Sequence, residues 1–154
     1  MRLIALICLL GTAFFPSQAQ AFFGFFGASM EEVTAQDGRI VIDVSDLPQS
    51  SARHYRYREG GLVIKFFVVR DGQGIIRVAL DACEACWKAG QGYKFKDGVM
   101  VCLNCGQKFP LGRIGLASGG CNPHPFPYKT ENDSVMISAR ELLLEAKYFP
   151  VNNR

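Results

Sequence analysis

Five of the six cysteines in this 154-residue chain lie between residues 83 and 121, and their spacing is regular. The stretch "CEACWKAGQGYKFKDGVMVCLNCG", residues 83–106, holds two Cys-x-x-Cys pairs separated by fifteen residues, and "GGCNP" brings a fifth cysteine after another fifteen. Two residues between thiols let both sulfurs converge on one point while backbone N–H groups of the turn stabilise the thiolates. Two such knuckles facing each other complete a tetrahedron, and Cys-x2-Cys-x15-Cys-x2-Cys falls in the zinc-ribbon range. Gly106, directly after the second pair, suits the tight turn a knuckle requires, and Gly90 lies four residues past Cys86. The sequence therefore predicts that Cys83, Cys86, Cys102 and Cys105 bind metal as a unit.

Two other uses of these thiols compete with metal binding. Disulfides are the default in exported proteins, but five mature cysteines is an odd number, and a bridge inside Cys-x-x-Cys closes a loop too short to stabilise much. Redox-active pairs usually open a helix whose N-terminus lowers a thiol pKa, and neither "CEACWKAG" nor "CLNCGQKF" leads into a long helical pattern. Trp87 and Gly106 follow the pairs where covalent haem would need histidine. Soft thiolates alone do not separate zinc, iron, an iron-sulfur cluster and copper(I). His124, three residues past Cys121, is a candidate added ligand, though a loop histidine is more often simply exposed; His54 is a weaker candidate. Asp81 and Glu84 flank the first knuckle, and Asp81 reads as a turn cap at a strand end. Paired carboxylates, a serine elbow and a phosphate loop are all missing, so the chain reads as a carrier or binding module rather than an enzyme.

The elements that must position these thiols read mostly as strands. "RIVIDVSDL" at 39–47, "GLVIKFFVVRD" at 61–71 and "GIIRVALD" at 74–81 are rich in Val, Ile and Phe and bounded by Asp, Gly or Pro. The Gly-rich "DGQG" between the last two reads as a hairpin turn. The first cysteine pair leaves from the strand ending at Asp81, and "GVMVC" at 98–102 delivers the second, so both knuckles are expected on one hairpin. "DSVMISARELLLEAKYF" predicts a strand at 135–137 and a helix over about 139–147. Ser138 and Glu141 form its capping box, and Leu142, Leu143 and Ala146 its buried stripe. The expected fold is α+β and mainly β: a small antiparallel sheet with zinc-ribbon-like knuckles and a C-terminal helix.

"MRLIALICLLGTAFFPSQAQAFF" opens with one arginine, a thirteen-residue apolar run, a Pro-Ser break and "AQA" at 19–21, the order of a secretory signal. The run is shorter than the roughly 20 residues a spanning helix needs. Residues 1–21 are therefore expected to be a signal peptide cleaved after Ala21, giving a periplasmic or exported protein; attachment to the inner membrane by an uncleaved segment is the alternative. The Phe/Gly-rich 22–35 reads as a linker and 36–154 as one metal-binding domain. Cleavage removes one of 17 basic residues, leaving them nearly balanced by 14 acidic ones. A chain of this size buries roughly two-thirds of its unfolded surface, enough for a core that does not depend wholly on metal. The basic cluster "RHYRYR" at 53–58 alternates like a solvated strand, and neither it nor the charge balance points to nucleic acid.

From Tyr55 to Phe149 the chain resembles the FtrD-like membrane iron-sulfur proteins associated with bacterial iron transport. The resemblance rests on "ALDAC", both knuckles, Gly92-Tyr93, "F-x-x-x-x-IG" at 109–115 and "GGCNP" at 119–123. It implies a metal-binding or electron-transfer domain facing the periplasm, with Cys83, Cys86, Cys102, Cys105 and Cys121 as the corresponding cysteines. An iron-sulfur cluster or iron is the implied cofactor, zinc or copper the alternative, and an inner-membrane iron-transport complex the implied partner. Many members carry the domain behind several membrane spans, whereas this chain has only the signal-like segment. Against the electron carrier stands a non-catalytic zinc-ribbon binding module. Cys121 discriminates between them: a closed four-cysteine zinc site has no vacancy for it, while the flanking glycines and proline of "GGCNP" can aim it at the knuckles.

Overall fold

The computed structural model describes residues 30–150. The expected signal segment, and most of the Phe/Gly-rich stretch after it, lie outside the described residues. Among the described residues ten strands form three sheets stacked in layers, with one short α-helix. The middle sheet has the order β1-β3-β4-β5, from Glu31–Val33, Ser51–Glu59, Leu62–Arg70 and Ile76–Leu80. One outer sheet is β2-β10-β9, from Arg39–Asp43, Ser134–Ser138 and Lys129–Glu131. The other is β6-β7-β8, from Tyr93–Lys96, Val99–Cys102 and Lys108–Pro110. All pairings are antiparallel except β1 with β3.

The sequence of β4 explains the layering. Side chains alternate across a strand, so a strand with one wet face should alternate in polarity. In "FFVV", Phe66, Phe67, Val68 and Val69 are all fully buried. Phe66 and Val68 face a core shared with Ile40, Ile42, Val135 and Ile137 of the β2-β10-β9 sheet. Phe67 and Val69 face a second core with Tyr93, Met100, Cys102 and Phe109 of the β6-β7-β8 sheet. A buried large apolar side chain contributes about 1.5–3 kcal/mol, so each face of this one strand anchors a layer.

The expected hairpin at 71–74 joins β4 to β5, and the Asp71 carboxylate accepts the Gln73 and Ile75 amides to shape its turn. The helix α1 spans Ala139–Leu144, and the Ser138 hydroxyl accepts the Glu141 N–H as the capping box requires. It stops one turn earlier than expected, and a 3-10 turn over Ala146–Tyr148 continues it. Two further differences concern β1 and β3. The short β1 lies inside the stretch read as linker, where Glu31 and Glu32 pair with Arg53, Arg56 and Arg58. "RHYRYR" is correspondingly not a solvated strand, because His54, Tyr55 and Tyr57 are buried and its arginines are engaged by those acids. Among the described residues no helix is long and apolar enough to cross a membrane.

Candidate metal centre

Three separate segments bring the five thiols together. The first leaves the end of β5 through Asp81 into Cys83 and Cys86. There the Cys86 N–H donates to Cys83 Sγ at 3.3 Å and the Trp87 N–H to the Cys83 carbonyl at 3.1 Å, the tight turn of a knuckle. A 3-10 turn over Trp87–Ala89 ends at Gly90 in the left-handed region, φ 64°. The second segment is the end of β7. The Gly106 N–H donates to the Cys102 carbonyl at 2.8 Å and Gly106 has φ 75°, so the glycine closes the turn that its position suggested. The knuckles do not share a hairpin as expected: β5 belongs to the middle sheet and β7 to an outer one, and they meet because Cys83, just past β5, and Cys102, on β7, share the core on the Phe67 face.

The third segment carries Cys121 and is laced to the first. Leu80 N–H donates to the His124 carbonyl, His124 N–H to the Ala82 carbonyl, and Ala85 N–H to the Gly120 carbonyl, at 2.9–3.0 Å. The result is two overlapping thiol groups. The sulfurs of Cys83, Cys86 and Cys102 all lie within 4.8 Å of one another, and so do those of Cys86, Cys105 and Cys121. Cys86 Sγ is 3.7 Å and Cys105 Sγ 3.3 Å from Cys121 Sγ. Two thiolates on one tetrahedral ion with bonds of about 2.3 Å sit about 3.8 Å apart, so these spacings are those of thiols able to share an ion. The donor set also fits an iron-sulfur group, whose irons are held by cysteine thiolates, four in the common clusters. All five are free thiols; Cys83 and Cys102 are buried and Cys105 is exposed.

Tyr93, which sequence reasoning noted but gave no role, fastens the segments. Its N–H donates to Asp81 Oδ1 at 2.6 Å, its hydroxyl donates to the Cys121 carbonyl at 2.7 Å, and its carbonyl accepts from His54 Nε2 at 3.2 Å. It also pairs with Cys102 in the β6-β7 ladder and packs its ring edge-on against Phe67 and Phe109. Asp81 is thus more than a turn cap. Gly92 makes room for it, since a Cβ there would lie 2.5 Å from both Asp81 carboxylate oxygens. The signal that could have found this was the glycine directly before the strand that Tyr93 opens, a glycine where a bulky partner must approach closely.

Electrostatics separate the thiols. Burial pushes Cys102 up to about 11. Cys105 is held down at about 7, first by the Gln107 backbone N–H and then by its hydrogen bonds with the Cys121 and Cys102 thiols. Cys121 is pushed up to about 12 by its hydrogen bonds with Cys105 and then Cys86, and by burial. Burial raises Asp81 to about 7 against the opposing Tyr93 N–H, and burial also lowers His54, which suits a neutral ring donating to a carbonyl.

Neither histidine joins the thiols. His54 stands behind Tyr93, and the ring of His124 faces Tyr148, Glu84 and Glu145 at 3.3–3.7 Å. A cleft of about 480 Å³ reaches Cys83 and Cys86 from the surface past Lys65, Trp87 and Tyr148.

No curated protein and no solved structure gives a significant match to this chain. The family model described as "Membrane iron-sulfur containing protein FtrD-like" matches residues 47–149, which include all five thiols and every strand of the β6-β7-β8 sheet. The chain belongs to the FtrD-like family of membrane iron-sulfur containing proteins.

Proposed function

We propose that this is an exported protein whose five thiols hold iron, as ions or as an iron-sulfur cluster, and that it passes electrons or metal on in bacterial iron uptake. One observation carries this reading: Cys121 joins the knuckles instead of packing apart from them, so the thiols exceed what a closed four-cysteine zinc site uses. Bound iron would supply a one-electron couple. The chain's own residues would do the rest. Cys83 and Cys102 hold from the core side, the Tyr93 hydroxyl fixes the backbone of Cys121, and exposed Cys105 leaves one corner open to a partner. Family membership supports iron over zinc, and the secretory pattern of residues 1–21 supports export.

The test is protein isolated without oxygen from its native compartment, assayed for iron and acid-labile sulfide, with a visible spectrum before and after dithionite. Iron with absorption that changes on reduction is the expected result. Stoichiometric zinc and no dithionite response would overturn the proposal in favour of a structural zinc-ribbon module.

A further inference from the structure

The two thiol groups share one member. Cys86 is in both, Cys83 and Cys102 are only in the first, and Cys105 and Cys121 only in the second. We propose that the five thiols form a two-ion site bridged by Cys86 Sγ, with one thiophilic divalent ion in an inner lobe and a second in an outer lobe. This rests on the reading that the thiols bind metal, and adds how many ions they hold and which thiolate they share.

A single ion takes four thiolates at most in tetrahedral coordination, and all its sulfurs must then be mutual neighbours. The tetrad expected from spacing is Cys83, Cys86, Cys102 and Cys105, yet Cys83 and Cys105 fall in different groups. Cys105 turns instead to Cys121 at 3.3 Å, and Cys121 reaches back to Cys86 at 3.7 Å. Five sulfurs in two triangles with a common corner give each of two ions three thiolates. The charge count agrees: five thiols release five protons to solvent, and five thiolates with two divalent ions leave a net charge of −1, with no change of oxidation state. One divalent ion would take at most four thiolates, a net −2, and would leave the fifth cysteine a thiol beside the site with no ligand role.

The lobes differ in access. Cys83 and Cys102 are about 1–2% exposed and belong to the core, whereas Cys105 is exposed and Cys121 half-buried. Three protein ligands leave each ion one free coordination position, so either can exchange. The outer ion, beside exposed Cys105, is the more readily exchanged, and the inner ion, held by two core thiols, the better retained.

The experiment titrates cadmium(II), a spectroscopically visible thiophilic probe, into the reduced, metal-free full chain under anaerobic conditions. Native mass spectrometry and ¹¹³Cd NMR give the readouts. Two ions per chain are expected, with two resonances split by each other, which requires a shared thiolate. Cys105→Ser should reduce the count from two to one and leave a single unsplit signal, and Cys86→Ser should remove the splitting. Circular dichroism checks that each variant is folded, and Cys105→Ser, at an exposed position, serves if Cys86→Ser is not. Saturation of the wild type at one ion, or two ions without splitting, overturns the bridged site while leaving the iron reading intact. A redox-silent zinc protein in the native assay would overturn that reading without altering the cadmium count.

Discussion

Replacing Gly92 by alanine probes the joint between strand end and metal centre. Gly92 has φ 68°, where an alanine costs about 1 kcal/mol relative to glycine. The added Cβ would also sit 2.5 Å from both carboxylate oxygens of Asp81. That carboxyl is buried, so it has to swing away and give up the 2.6 Å bond from the Tyr93 N–H. Losing a buried hydrogen bond of this kind costs about 1.5–3 kcal/mol. Together these make about 2.5–4 kcal/mol, a large fraction of the roughly 5–15 kcal/mol that stabilises a typical domain. For a domain of this size that corresponds to a fall in Tm on the order of 10–20 °C. Gly90 supplies the control: it has φ 64°, but a Cβ added there meets nothing within 4 Å, so Gly90→Ala carries only the conformational cost of about 1 kcal/mol. The assay is thermal unfolding of both metal-free variants by circular dichroism, repeated in an Asp81→Ala background. Equal losses for Gly92→Ala and Gly90→Ala, or a Gly92→Ala loss undiminished when Asp81 is already gone, would refute the steric argument.

Three further outcomes are expected. Burial raises Asp81 to about 7 from an unfolded value near 3.8, so between those pH values the folded chain keeps a proton that the unfolded chain has released. Stability of the metal-free protein should then fall as pH rises from about 4 to about 7, and Asp81→Asn, which keeps an oxygen for the Tyr93 N–H, should flatten that slope in urea titrations. In metal-free protein Cys105 should be the first thiol alkylated by iodoacetamide, with a rate midpoint near pH 7; peptide mapping that finds Cys83 or Cys102 first, or a midpoint near that of an ordinary thiol, contradicts the assignment. N-terminal sequencing of protein from the producing cell should begin at Phe22, and an intact Met1 in membrane fractions would show an anchor instead.

What was legible in the sequence was what local chemistry determines. The hairpin at 71–74, the Ser138 cap and the two knuckles each depend on residues a few positions apart, and each formed where expected. Long-range partners carried no such signal. The pairing of β2 with β10 joins Arg39–Asp43 to Ser134–Ser138 across most of the domain, and β1 is three residues of "EEV" whose place depends on arginines in β3. The placement of the knuckles on separate sheets was recoverable in principle, because the unbroken apolar run of β4 demands a layer on each face. The spacing of Cys105 argued for a tetrad with the other three knuckle thiols, and only the lacing of the 119–124 loop onto β5 gives it Cys121 as a neighbour.

The middle sheet also divides the molecule for anyone who wishes to wire it. Four of the five thiols lie with the Phe67 face and Cys105 lies beside Cys121, while β2, β9 and β10 lie behind the Phe66 face and carry no cysteine. Val41 on β2 is 63% exposed. A linker or surface attached at that position would hold the protein on an electrode with its metal-binding end turned outward, leaving the coordinating sulfurs free of the coupling chemistry.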